Sequence, residues 1–411
     1  MKNNVSLAMV GEVAGKYSNT WNERDIAYFV DKCASVGVQR ILHSYYHYPS
    51  PNFPSYLMHR DELMRIEPFG YGEDSPLAHL IQRAHAAEIE VIPFVNVAMG
   101  GQWIRTDHLA SGEVWPYIRL IGGGRKLEKY WSRTRDGKTW LDHGPRSSLG
   151  AYGYVSLAYP EMREREQNLY LEFVDRYGAD GIQLEFMISR PPRYASSSAF
   201  VNLPCCDEAG YWAFGYEEPA LTGYMQMYGV DPRTLPNSEP SWVQYRADFT
   251  TKHLREIREA LNRIDKHIDV SVFAFSGMFS TSEDGLAVGS DWETWLAKGL
   301  VDTIYSRIPG DHPPFKERFT EERVTAMVQE YLTLMQTVAG RAVLVPTIEL
   351  PTYPLSATGQ STSEEANAAL KRIGLALIAA GAEQLGVWWF DTIEAYNLWP
   401  AISALHSVIR G

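Results

Sequence analysis

Two carboxylates sit where an apolar strand has no packing use for them. Glu185 lies inside GIQLEFMIS (181–189), and Glu349 closes AVLVPTIEL (342–350). An ionised carboxylate among Leu, Ile, Val and Phe is costly to bury unless it is paired or used. The structural reading pairs each with an arginine, such as Arg190 or Arg307. The chemical reading takes the two together. Two carboxyl groups facing each other over one substrate are what cleavage of a glycosidic bond requires: one protonates the leaving oxygen, and the other attacks the sugar or activates water. Retention needs the two about 5–5.5 Å apart and inversion about 6.5–9.5 Å. Two long Glu side chains reaching from opposite sides suit the shorter gap, with Glu185 as acid/base and Glu349 as nucleophile. The reverse assignment stays open.

Further polar and aromatic residues close other apolar runs: Glu12, His43 with Tyr45 and His47, Asn96, Arg307, and then Trp388, Trp389 and Asp391. Each has a bland alternative. His43 and His47 are four apart, which suits a metal pair on a helix face, but the run around them reads as a strand. Either could instead hydrogen-bond a sugar hydroxyl or a carboxylate. Trp388 and Trp389 alternate faces, so one of them offers a flat ring to a sugar while the other packs, unless both pack against helices. Asp391 either contacts substrate or caps the turn after it. Asn96, small and polar at a strand end, is suited to a sugar hydroxyl, and Glu12 at its own strand end could serve the same way. Gly122-Gly123-Gly124 is no phosphate loop, since no Lys-Ser/Thr follows and no helix opens there.

These residues gain meaning from the elements that carry them. Eight short runs rich in Val, Ile and aromatics recur, at 5–13, 38–46, 90–98, 181–189, 269–277, 301–309, 342–350 and 385–393. They are apolar on both faces, as buried parallel strands are. Helical patterns separate them. Ile26, Phe29, Val30 and Cys33 form one stripe, and Leu169, Phe173 and Tyr177 another, beside Tyr170 and Val174. A long charge-laced helix is expected from Trp242 to Ile264, a capped start at Ser290-Asp291, and a helix from Ser363-Glu364 to about Ala380 stopped by Gly381. A last helix buries Leu398, Ile402, Leu405 and Ile409. Strand and helix alternating eight times predict an α/β fold, a (β/α)8 TIM barrel, whose polar strand ends gather at one mouth. Two connections, 99–159 after the third strand and 190–240 after the fourth, are too long to be simple. They read as lids on a single catalytic domain spanning 1–411.

At this point the chain resembles a known group. The segment GYVSLAYPEMREREQNLYLEFVDRYGADGIQLEF is similar to the N-P-x-x-P-E-V-R…V-x-R-Y-x-V-D-G-I-x-x-D stretch of the glycosyl-hydrolase-like family ten-like barrels. SDWETWLAKGLVDTIYSRI resembles their W-x-x-W-L-x-x-G-L-V-D-x-I-x-P stretch. The likeness covers roughly residues 150–310 and implies membership of the wider superfamily of (β/α)8 glycosidases. That family usually carries Asp where this chain has Glu185. The Glu185/Glu349 pair instead resembles the glycosidases with acid/base on strand four and nucleophile on strand seven, although their Asn before the strand-four Glu is here Leu184. By the same resemblance a strand-eight Trp lies under the sugar at the cleavage point.

Composition agrees with this class and removes others. The 411 residues are 45% hydrophobic and 21% charged, near the globular average, so a disordered chain is excluded. A net charge of −12 repels phosphate backbones, so nucleic acid is not an expected partner. No apolar run reaches 18 residues, so no membrane helix is expected. Cys33, Cys205 and Cys206 build neither a disulfide framework nor a metal knuckle. With no signal peptide legible in MKNNVSLAMV, a cytoplasmic site is expected. The expected partner is a carbohydrate, no cofactor is required, and a homo-oligomer stays open. Two rivals remain: a barrel that binds carbohydrate without cleaving it, and a metal-dependent hydrolase or lyase using His43, His47 and Asp391.

Overall fold

The computed structural model describes residues 6–11, 23–44, 76–104, 117–119, 128–143, 152–185, 206–207, 211–274, 282–309, 342–349, 362–388 and 390–410, with isolated positions between 322 and 333. Eight of its strands are parallel: β1 (Ser6–Gly11), β2 (Val38–Ser44), β3 (Glu90–Asn96), β7 (Gly181–Glu185), β8 (Asp269–Ala274), β9 (Thr303–Pro309), β10 (Val343–Glu349) and β11 (Gln384–Trp388). Seven fall within a predicted apolar run, and β11 begins one residue ahead of its own. Their order is β1-β11-β10-β9-β8-β7-β3-β2, and β1 also pairs with β2, so the sheet closes on itself.

The interior of the ring is partly polar. On β7, Ile182 and Leu184 join the core cluster shared with the helices, so alternation turns Gln183 and Glu185 inward. Ser271 on β8 stands in register with Gln183 and donates its hydroxyl to the Ile182 carbonyl at 3.1 Å. Towards the strands' N-terminal ends, Arg40 donates to Tyr305 Oη at 3.0 Å and to Glu90 at 2.8 Å, and lies 3.5 Å from Asp269. Thr303 Oγ1 donates to the same Asp269 at 2.8 Å.

Helices cover the outside. α1 (Glu23–Ser35) buries Ile26, Phe29, Val30 and Cys33 as the spacing predicts, and α2 (Pro76–Ala86) packs beside it. After α3 (Trp140–His143) come α4 (Pro160–Leu171), α5 (Glu218–Tyr228) and α6 (Pro240–Leu261), whose Trp242 is fully buried. α7 (Ser282–Ala287) precedes α8 (Trp292–Ala297), where Asp291 is the N-cap and accepts from Thr294 N. α9 (Ser363–Ala379) starts at Ser363, where the Ser-Glu pair puts it. Thr362 caps it, with Glu365 closing a reciprocal box, and Gly381 follows at φ +102. α10 (Phe390–Ala395) and α11 (Trp399–Arg410) complete the ring, with Leu398, Ile402 and Leu405 buried. Among the described residues no helix is long and apolar enough to cross a membrane.

One element was not foreseen. Within 99–159 the chain forms an antiparallel sheet in the order β5-β4-β6, from β4 (Met99–Ile104), β5 (Tyr117–Arg119) and β6 (Tyr152–Tyr154). The second long connection ends in α5 and its approach to α6. Residues 105–116, 120–127, 144–151, 186–205 and 208–210 lie outside the described part of both.

Inside the ring, Gly386 faces Thr347, its partner in register. A Cβ there would meet Thr347 Oγ1 at 2.5 Å and Cγ2 at 2.9 Å. Gly386→Ala is therefore expected to cost about 1–3 kcal/mol by overpacking. Adding Thr347→Ala should recover most of it, read as urea midpoints of the two singles and the double.

Candidate active site

Parallel strands deliver their last residues to one end of the ring. Asn96, Glu185, Pro309, Glu349 and Trp388 each close a strand there. Asn96 is in register with Glu185, and Glu349 with both Pro309 and Trp388. Glu185 is 1% exposed, so an inward carboxylate is buried at the end of the fourth barrel strand. The strands of the two candidate carboxylates are not diametrically opposed. β8 and β9 alone separate β7 from β10, which sets them three places apart in a ring of eight. That spacing shortens the chord between Glu185 and Glu349 relative to a true diameter, in the direction a narrow carboxyl gap needs.

The remaining predicted residues divide into three groups. The backbones of Asn96, Glu349 and Trp388 close their strands, that of Arg307 lies two residues before the end of β9, and Asp391 is the second residue of α10. Glu12, Tyr45, His47 and Trp389 lie outside the described residues. His43 is separated from the group. Arg40 points inward to Tyr305 and Asp269, while Ile41 belongs to the helix-side core. Strict alternation along β2 then puts His43 on the side of Ile41, away from the interior that holds Glu185.

His43 is 1% exposed, and burial lowers its pKa to about 4. The unfolded chain takes up a proton near pH 6.5 that the folded chain refuses until about pH 4. Stability present above pH 6.5 therefore falls as pH drops through that window, by at most about 3 kcal/mol. Denaturation curves from pH 7 to 4 should show this component in the native sequence and lack it in His43→Leu.

Two buried carboxylates near the mouth escaped the sequence reading. Glu166 on α4 is 7% exposed; it accepts from Ala98 N at 2.7 Å and meets Nε2 of the fully buried His253 at 2.9 Å. Its signal was present. Stepping back from the Leu169 and Tyr170 stripe by three and four residues lands on Glu166, although the MREREQ run reads as a solvated face. Glu217, ahead of α5, accepts from Arg133 N at 2.7 Å and Ser156 Oγ at 3.0 Å, and burial raises its pKa. It lines a cavity of about 60 Å³ with Ala98, Ser156, Trp212, Arg246 and Thr250. Arg246, 7% exposed, has its pKa lowered to about 10 by burial and donates to the Trp212, Phe214 and Asn237 carbonyls. It thereby fastens the second long connection to α6. Nothing in the sequence separates Glu217 from the exposed acids common in a first helical turn.

No protein-family model matches the chain, and no curated protein does. Solved structures share its fold. The β-galactosidase from the psychrophilic Marinomonas ef1 superposes with a TM-score of 0.57 at 11% identity, over 98% of this chain and 59% of that one. The endo-1,4-β-mannanase from Rhizomucor miehei gives 0.51 at 13%, over 97% and 94%. The catalytic domain of β-amylase from Paenibacillus polymyxa gives 0.51 at 11%, over 98% and 99%. These neighbours are glycoside hydrolases of TIM-barrel type. At such identities the likeness is one of fold.

Proposed function

We propose that the protein is a glycoside hydrolase that cleaves a glycosidic bond in an oligosaccharide or polysaccharide fragment. The observation that carries this reading is Glu185: a carboxylate facing inward, buried, at the C-terminal end of the fourth strand of a parallel barrel. Polar groups that matter in this architecture gather at that end. The fold neighbours, a galactosidase, a mannanase and an amylase, support the reaction class by analogy. Glu185 acts as acid/base and Glu349 as nucleophile of a retaining reaction. Asn96, Arg307 and a tryptophan of 388–389 contact the sugar, and the likeness to the family ten-like barrels belongs to this reading as well. A panel of nitrophenyl glycosides tests it, with the first anomer released followed by NMR. Retention in the first product supports the pair, and inversion removes Glu349 as nucleophile. The metal-dependent alternative draws on His43, and the alternation that turns its side chain to the face of Ile41 opposes it.

A further inference from the structure

The mouth end of β3 is fastened to a carboxylate that the proposed reaction does not use. Ala98, two residues past Asn96, holds φ +59, a left-handed conformation uncommon for a residue with a Cβ. Its N–H donates to Glu166 Oε1 at 2.7 Å, and its carbonyl accepts from Val155 N at 2.8 Å. One residue back, Val97 N donates to the Glu185 carbonyl at 2.9 Å. The other Glu166 oxygen meets His253 on α6 at 2.9 Å. A continuous line of bonds thus runs from the helix layer, through Glu166, Ala98 and Val97, to the main chain of Glu185. Between α4 and β7 the helix widens into a π-turn over Glu172–Arg176, closed by Tyr177 N to Glu172 O. That turn sets the register in which one stretch of chain supplies both Glu166 and Glu185, and such turns recur near functional sites.

We propose that Glu166, held by His253, is a positioning residue for Glu185. This rests on the glycosidase reading above. A sparsely populated backbone conformation persists only where its surroundings over-determine it, and the Glu166 oxygen 2.7 Å from Ala98 N supplies that restraint by its reach. Releasing Ala98 lets Val97 move, and with it the backbone that aims Glu185. A misplacement of about 1 Å costs on the order of 100-fold in rate.

Two variants separate reach from charge. Glu166→Asp keeps the charge but draws the oxygen back from Ala98 N. Glu166→Gln keeps the reach and loses the charge. On a glycoside with a poor leaving group cleaved by the native chain, Glu166→Asp should lower kcat about 10–100-fold with KM within about 3-fold, while Glu166→Gln stays within about 5-fold of native. Amide exchange at Val97 and Ala98 should accelerate in Glu166→Asp and not in Glu166→Gln. Ala98→Gly, which keeps the N–H and frees φ, is the milder variant and should shift kcat the same way by less. The proposal is overturned if Glu166→Asp keeps native kcat and native exchange, if Glu166→Gln is the more impaired, or if both lose activity only in step with Tm. A native chain that cleaves no glycoside sinks the glycosidase reading instead, and the exchange rates still decide whether Glu166 holds Ala98 and Val97.

Discussion

Replacing Glu185 by Ala is expected to lower turnover of glycosides with poor leaving groups about 10²–10⁴-fold, the range that a positioned acid/base supplies. Aryl glycosides with activated leaving groups need no protonation, so they should still enter the first step. Azide should then restore turnover and give a product of retained configuration. Glu349→Ala should abolish turnover of both substrate kinds, and azide should give the glycosyl azide of inverted configuration. If azide acts the other way round on the two variants, the roles are exchanged. Stability should move little. Glu185 is 1% exposed in a ring whose neighbours on β7 are Leu184 and Gln183. An isosteric amide in its place opens no cavity, so Glu185→Gln should melt close to the native temperature. Loss of activity with retained Tm is the mark of a group kept for chemistry rather than for folding.

Much of the frame was legible because burial on both faces writes parallel strands as unbroken apolar runs, and none of the eight was misplaced. The helix stripe of α1 was legible for the same reason, since Ile26, Phe29, Val30 and Cys33 have one side to hide. What failed did so for identifiable causes. β4 reads MGGQWI, and β5 and β6 have three residues each, so neither period two nor length marks them as a sheet. The spacing of β7 and β10 depends on ring arithmetic: strands four and seven of eight are three steps apart, which composition does not encode. Glu185 stood out because a carboxylate inside an apolar strand is costly to bury unless it is paired or used. Glu166 did not, because α4 is charged on every side and only its i, i+3, i+4 relation to Met162, Leu169 and Tyr170 reveals the buried face. His43 was drawn to the mouth by its proximity to Tyr45 and His47. The face of β2 is fixed instead by a partner far away in sequence, Tyr305 on β9.

That partner belongs to the opposite end of the ring, where the largest loss of stability is expected. Arg40, Glu90, Asp269, Thr303 and Tyr305 come from β2, β3, β8 and β9 and meet inside the barrel near its N-terminal end. Burial pushes the Asp269 carboxyl up and the Tyr305 hydroxyl above its ordinary range. Arg40 offsets both, and its Nη1 contacts each of them. Arg40→Met should therefore cost about 3–5 kcal/mol, since it strands a buried carboxylate and leaves Tyr305 Oη without its donor. Asp269 would then hold its proton to higher pH. A carboxyl whose folded pKa is raised stabilises the fold only while protonated, so the variant should regain stability as pH falls toward 4 and lose it as pH rises. Arg40→Met combined with Asp269→Asn removes the stranded charge and should be clearly more stable than Arg40→Met alone, with a coupling of about 1–3 kcal/mol in the double-mutant cycle. Below its Tm, Arg40→Met should cleave substrate at native kcat, because this cluster closes the floor of the ring while the chemistry is assigned to the mouth. A loss of kcat at temperatures where the variant is fully folded would join floor and mouth in one functional unit and refute that division.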